Sequence, residues 1–250
     1  MRDMEIKRLE ELAMRASRSG RTQFSRFLEP SMKDKARAAA ANAHVRVDFY
    51  GGCSGAERCL AAFYDEIPPE PEDYPILALR MEWNGKYANP GHRDLLGAVM
   101  GMGIERDTTG DIAMGEYRDL DCAYLFALPE VADYIVASLE SAGRAALRVC
   151  IAQETPRLKP PQGERLRATV QNERLDAVLA AGYRLSRSEA QRLIAAGLVK
   201  LNHVPTLHGD TRLKEGDLIS AKGYGRLKLE TLQGESRKGR QIIMLFRYGK

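Results

Sequence analysis

Apolar residues recur along the chain with two different periods, and each period marks a kind of element. Leu9, Leu12, Ala13 and Ala16 share a face at helical spacing, which predicts a helix over residues 4–16, ended by Gly20. Thr22 is placed to cap a second helix through Leu28, ahead of Pro30. Ser31-Met32-Lys33-Asp34 has the spacing of a variant capping box and opens an alanine-rich helix to Ala43. Residues 44–50 alternate as a strand and end at Gly51-Gly52. Residues 56–64 read as a helix with Cys59, Leu60 and Phe63 on its apolar side. Pro68, Pro69, Pro71 and Pro75, interspersed with acidic residues, then mark a boundary loop.

The middle of the chain mixes the two periods. Residues 76–83 predict a strand, and 92–103 a helix carrying Leu95, Leu96, Val99 and Met100 inward. Residues 111–116 and 123–128 predict two short strands. Pro129 opens a helix over 130–142, Gly143 ends it, and 146–152 follow as a strand. No βα unit repeats, so the expected class is α+β rather than a doubly wound sheet. The run TPRLKPPQG at 155–163 reads as a proline-rich linker. The expected organisation is an α+β domain over 1–74, a second over 75–156, a linker over 157–168 and a C-terminal domain over 169–250.

The C-terminal part holds the most specific pattern. Residues 174–182 predict a short helix with a glycine stop. Ser186-Arg187-Ser188-Glu189 is a capping box, Ala190, Leu193 and Ile194 lie on one face, and Gly197 stands where a left-handed cap is wanted. Val199, Lys200, Leu201 and Asn202 then alternate as a half-buried strand does. Arg187, Ser188, Gln191, Arg192, Lys200 and Asn202 are left facing outward. A helix start already exposes amide donors, so such a set suits phosphate. An ordinary amphipathic helix with a solvated basic face fits this stretch alone equally well. Residues 226–232 and 241–248 read as strands paired across a 234–239 turn that carries Arg237, Lys238 and Arg240.

Charge sharpens this picture. The chain of 250 residues has a net charge of +4, 44% hydrophobic and 29% charged residues, as expected of a soluble globular protein. Residues 157–250 hold 19 Lys+Arg against 9 Asp+Glu, a net of +10, while residues 1–156 carry a net of −6. A basic C-terminal third on an acidic body points to a localised polyanion-binding surface. Cys53, Cys59, Cys122 and Cys150 show neither C-x-x-C nor zinc-site spacing, and read as reduced thiols in a cytoplasmic protein. No metal and no cofactor is expected. The first residues are too acidic for a signal peptide, and no run has the length of a membrane span.

Catalytic motifs are weak or missing. His92-Arg93-Asp94-Leu95 matches the kinase catalytic loop in those four residues, but Val99 stands where Asn is needed. His92 and Asp94 are expected to cap or pin a packed helix, with Arg93 and Arg106 available for contacts. There is no G-x-x-x-x-G-K-[ST] loop and no G-x-S-x-G elbow. Gly51-Gly52-Cys53-Ser54-Gly55 follows a strand as a methyltransferase cofactor loop would, but lacks an acidic ribose partner after a next strand. Some pseudouridine synthases carry their catalytic Asp in an Arg-Leu-Asp triplet, but here the only such triplet, Arg174-Leu175-Asp176, opens the C-terminal segment itself. Asp176 is therefore read as a structural acid pinning the helix pair.

Helix, short turn, basic helix and small strands, with the pattern RLD…SRSEAQ.LI..G.VK.N…L.EGD.I, resemble the S4 RNA-binding domain over residues 170–228. An acidic α+β body carrying HRDLLGAVMGMGIERDTTGDI and AYLFALPEVADYIVASLESAGR precedes it. This order resembles the YlmH family, bacterial S4-domain proteins encoded among cell-division genes. The resemblance implies a multi-domain α+β chain with a C-terminal S4-like (αL) domain. It also implies a non-enzymatic cytoplasmic factor of ribosome-associated quality control that meets ribosomal RNA and tRNA on the large ribosomal subunit. Arg174, Ser186, Arg187, Ser188, Gln191, Arg192, Lys200, Asn202, Tyr224 and Arg226 are the expected RNA-binding residues. A monomer is expected, with cell-division proteins as further candidate partners. An RNA-modifying enzyme with an S4 targeting domain and a division-linked scaffold stand as alternatives.

Overall fold

Strands buried on both faces organise the N-terminal part of the molecule. The structure, a computed structural model, describes residues 2–236 and 239–249. It divides into two units, Met1–Lys159 and Pro160–Lys250. The first unit begins with α1 (Arg2–Ser19), β1 (Gln23–Phe24), α2 (Lys33–Asn42), β2 (Arg46–Tyr50) and β3 (Leu60–Tyr64). It continues with β4 (Leu77–Glu82), α3 (His92–Gly101), β5 (Thr109–Tyr117), β6 (Leu120–Ala127) and α4 (Pro129–Ser138). It closes with β7 (Ser141–Ala142), β8 (Ala145–Ala146), β9 (Arg148–Ile151) and β10 (Arg157–Leu158).

Two antiparallel sheets, ordered β1-β3-β2 and β10-β5-β6-β4-β9, share one core. From β3, Leu60 and Ala62 meet Tyr124 and Phe126 of β6 there. The other face of β3 gives Ala61 and Phe63 to α1 and α2. The other face of β6 gives Ala123, Leu125 and Ala127 to the core formed with α3 and α4. The unit is thus layered helix, sheet, sheet, helix.

This layering corrects two expectations. Residues 56–64 are not a helix: Leu60–Tyr64 is a strand buried at every position. A short apolar run needed on both faces carries no alternation, so its period does not separate strand from helix. Nor is 22–28 a helix. Phe24 pairs with Ala62, Leu28 bridges Cys59, and the Ser25 hydroxyl accepts the Ala61 amide. The segment between Gly20 and Pro30 is too short for an isolated helix, while the open edge of β3 offers backbone partners.

Smaller differences follow the same logic. No Ser31 capping box forms, because Pro30–Met32 makes a single 3-10 turn and Met32 stands at the N-cap. The helix expected to reach 142 ends at Ser138, and β7 and β8 form a tight hairpin around Gly143. All four cysteines are free thiols.

The second unit contains β11 (Gly163–Val170), α5 (Leu175–Tyr183), α6 (Arg187–Ala195), β12 (Val199–Leu201) and β13 (Val204–Pro205). After these come β14 (Leu218–Ala221), β15 (Gly225–Glu235) and β16 (Gln241–Tyr248). The six strands form one antiparallel sheet ordered β11-β16-β15-β14-β12-β13. Leu175, Val178, Leu179, Ala190 and Ile194 of the helices pack on Ile219, Leu227, Leu229, Ile243 and Leu245, so both helices cover the same face. The paired strands at 226–232 and 241–248 form as expected; Arg237 and Lys238 lie outside the described residues.

The 157–168 stretch, expected as a linker, instead supplies β10 and most of β11. Leu166 and Ala168 alternate inward and eight residues of β11 pair with β16. The prolines at 160 and 161 break the chain only between these strands.

Gly182 does not stop α5, which runs on to Tyr183 and caps on Arg184 at φ 57°. Its role is close packing, since a Cβ there would sit 2.3 Å from Leu227 Cδ1 and 3.2 Å from Leu245 Cδ1. Gly182→Ala is therefore expected to destabilise the second unit by about 1–3 kcal/mol, as overpacked cores do. Faster hydrogen–deuterium exchange confined to amides of α5, β15 and β16 would report it; unchanged exchange would show that the core absorbs the methyl group.

Candidate nucleic-acid interface

The junction of α5 and α6 is built around a carboxylate with no solvent exposure. Asp176 lies in the first turn of α5 and is 0% exposed. Arg187 Nη2 donates to its Oδ2 at 2.8 Å and Gln191 Nε2 at 3.1 Å. Arg174 donates through Nε to Oδ1 at 3.3 Å and through Nη2 to Oδ2 at 3.2 Å. Burial alone would raise the Asp176 carboxyl, but these hydrogen bonds outweigh it and hold it below the usual carboxylate range. The acid pins the helix pair, as expected from the sequence.

The two guanidiniums do not vanish into this network. The Arg174 and Arg187 side chains stay 36% and 45% exposed. Two positive groups on one negative leave a net cation, its position set by a buried anchor. An arginine has five N–H donors, so each retains some for a further acceptor. An open depression of about 420 Å³ lies beside them, lined by Arg174, Asp176, Gln191, Ile194, Leu207 and Asp210 among others.

The start of α6 differs from expectation. Its capping box forms: Glu189 N donates to Ser186 Oγ at 3.2 Å and Ser186 N donates to Glu189 Oε2 at 2.8 Å. The Ser186 hydroxyl also donates to Glu189 Oε2 at 2.7 Å and lies 3.0 Å from Ser188 Oγ. Hydrogen bonds from Ser186, its backbone amide first, hold the Glu189 carboxyl below its ordinary range. Glu189 is exposed, so an acid stands beside the outward-facing set and occupies the helix start. Ser186 is committed to the cap. Ser188 and Arg192 remain exposed on α6, with Arg192 Nε reaching the Ser188 carbonyl at 3.4 Å.

Four expected residues stand elsewhere. Asn202 sits at φ 47° in the β12–β13 turn. Its Oδ1 accepts the Leu218 amide and its Nδ2 donates to Asp217, so its amide holds the turn. Lys200 pairs across the sheet with Ser220, and Ser220 with Arg226. Their strand neighbours Val199, Leu201 and Leu227 point into the core under the helices. Lys200 and Arg226 therefore face away from α5 and α6. Tyr224, 38% exposed between Gly223 and Gly225, has its ring 5.4 Å from that of Tyr183. The sequence-predicted set is thus divided: Lys200 and Arg226 face away from the helices, Asn202 and Tyr224 lie in turns, and the rest gather at the junction of α5 and α6. Exposed Arg165, Arg167 and Lys228 were missed; the alternation of Leu166 and Ala168 was the available signal.

A family model described as "Putative RNA-binding domain in YlmH" matches residues 69–155, and an S4 domain model matches 173–219. The "Ribosome-associated protein quality control protein P2" of Bacillus subtilis is 34% identical over 220 residues, covering 87% of this chain and 84% of that protein. The chain belongs to the YlmH family. A solved structure titled "Cell division protein ylmH from Streptococcus pneumoniae" is 19% identical, with a TM-score of 0.47 over 61% of this chain and 92% of that one. At the level of its domains this YlmH-family chain is an RNA-binding protein.

The first unit of this YlmH-family chain has no comparable cationic cluster anchored on a buried acid among the described residues. Two of its arginines are consumed internally. Arg58, 9% exposed, donates to the carbonyls of Thr109, Phe27 and Arg106. Arg106 turns inward onto Thr109 and Gly110 rather than outward. Burial lowers both guanidinium pKa values. Asp94 accepts the Gly91 amide and pins α3, as expected. The Gly51-Gly52 loop is shaped by packing: at φ 92°, a Cβ on Gly52 would lie 2.2 Å from the Phe126 ring. Burial first, then Asp111, pushes the Cys53 thiol up to about 11, which keeps it protonated near neutrality. Among the described residues no cluster of three His, Cys, Asp or Glu could hold a metal ion, and no helix is long and apolar enough to cross a membrane.

Asp176→Asn is expected to cost about 2 kcal/mol near neutral pH, the scale of a charge-assisted hydrogen-bond network losing its acceptor charge. The folded carboxyl lies below its unfolded value, so this stabilisation is present above about pH 4 and is lost as pH falls through the folded value. The difference in exchange-derived stability of α5 and α6 between the two proteins should shrink in acid; a gap that persists at the lowest pH would disprove the charge assignment.

Proposed function

We propose that this protein is a non-enzymatic, cytoplasmic RNA-binding factor of the large ribosomal subunit. It engages ribosomal RNA and peptidyl-tRNA in ribosome-associated quality control of stalled translation. The observation that carries the reading is the Asp176-anchored pair Arg174 and Arg187, with Gln191 beside them. The name of the B. subtilis relative supports the ribosomal setting.

The chemistry is recognition of folded RNA by phosphate position and shape. Arg174, Arg187 and Arg192 supply charge toward phosphate, Ser188 donates at the helix start, and Gln191 reaches a 2′-hydroxyl or base edge. Because Asp176 holds the first two guanidiniums in advance, less rotamer entropy is lost on binding than with free surface arginines. No covalent step is required. The residual acid at Glu189 orients the RNA backbone toward Arg174 and Arg187 rather than onto the helix axis.

Sedimentation of the purified chain with ribosomal particles through sucrose gradients tests this directly. It should travel with free large subunits at low salt and dissociate as salt rises. Arg187→Ala should weaken that binding and reduce the log–log salt slope by about one unit or less, while Arg187→Lys restores much of the slope. Material that stays at the top of the gradient at low salt in every case rejects the proposal.

A further inference from the structure

The outer face of the six-stranded sheet, opposite the helices, breaks the pattern of a solvated sheet. An antiparallel sheet with one wet face normally alternates apolar inward and polar outward. Strand β16 does not. Ile243 and Leu245 enter the core, yet Ile242, Met244, Phe246 and Tyr248 on the opposite face are also apolar or aromatic, and half-buried.

Cations flank this stripe. Cross-strand pairing sets Lys200, Ser220 and Arg226 in one row that ends at Tyr248. The next row is Leu218, Lys228, Phe246 and Arg165, and the one after joins Thr231, Met244 and Arg167. All five basic residues are exposed. Glu230 stands beside these rows and is paired to Arg165 at 2.9 Å. The Arg226 guanidinium lies 4.9 Å from the Tyr248 ring centroid, and the Phe246 and Tyr248 rings meet edge-on at 4.9 Å. At the end of the first row opens a depression of about 590 Å³, lined by Tyr183, Tyr224, Tyr248, glycines and the ion-paired Arg247 and Glu164.

We propose that this face is a second RNA surface, taking an unpaired ribose-phosphate strand. Aromatic rings spaced among cations are what such a strand needs: phosphates meet Lys200, Arg226, Lys228 and Arg167, while bases stack on exposed ring surface. An apolar stripe rimmed by charge is in general an interaction site, and the sign of this rim selects a polyanion. The tyrosine-lined depression has room for a base turned off the strand. A duplex would hide its bases from these rings, so the surface favours single strands over helices. The choice of RNA rests on the RNA-binding reading above; the surface itself shares none of the Asp176 cluster.

The test uses the full chain, a 12-nucleotide oligouridine RNA and isolated large subunits. The wild type should bind the oligonucleotide, and ultraviolet cross-links should map to β16 at Phe246 or Tyr248. Arg167→Glu with Lys228→Glu should weaken oligonucleotide binding at least tenfold and abolish those cross-links. The neutral pair Arg167→Gln with Lys228→Gln should show a smaller loss and a salt slope lower by about one to two units. Arg187→Ala should reduce subunit binding while the cross-links at Phe246 or Tyr248 of β16 persist. Wild-type affinity in the charge-reversed protein, cross-links only to α5 and α6, or no oligonucleotide binding at all would each overturn the sheet surface. So would self-association through this face that RNA does not displace. In any of these cases the subunit arm still decides the earlier reading on its own.

Discussion

A carboxylate removed from water has to be compensated, and in this protein that requirement shapes the RNA-binding domain. An isolated buried charge is too costly to keep, so Asp176 collects four hydrogen bonds from three residues, Arg174, Arg187 and Gln191. Its hydrogen bonds tie α5 to α6, because Arg187 and Gln191 come from one helix and Asp176 from the other. It also fixes where positive charge emerges. The excess over one carboxylate is displayed at the helix junction rather than spread over flexible side chains.

The first unit solves a different problem by different means. Two sheets back to back with helices outside bury β3 and β6 on both faces. Close approach then replaces side chains with glycine at Gly52, and two arginines tie loop carbonyls together from within. Its acidic balance leaves the basic C-terminal unit as the electrostatic partner for RNA.

Much of the candidate site was readable from spacing. The Ser186–Glu189 box, the left-handed Gly197 and the pinning role of Asp176 are all local, set by residues within one turn or by a single charge that must find partners. The exposed Glu189 was in plain view, but its occupation of the helix start follows only once the box is closed. Asn202 illustrates the opposite case. It looked like a donor for RNA because its turn conformation and its bond to Asp217, fifteen residues away, are invisible to alternation.

Sequence by itself determined the α+β class, the family, the basic C-terminal third and the capped helix, since these depend on composition, period and neighbours a few residues apart. Tertiary structure alone decided that 56–64 holds a strand, that Gly182 is a packing contact, and that Lys200 and Arg226 lie across the sheet from Arg187. The reason is the same each time. A residue's face and its partners depend on which distant strand or helix comes to lie against it, and the periodicity of one segment carries no information about that.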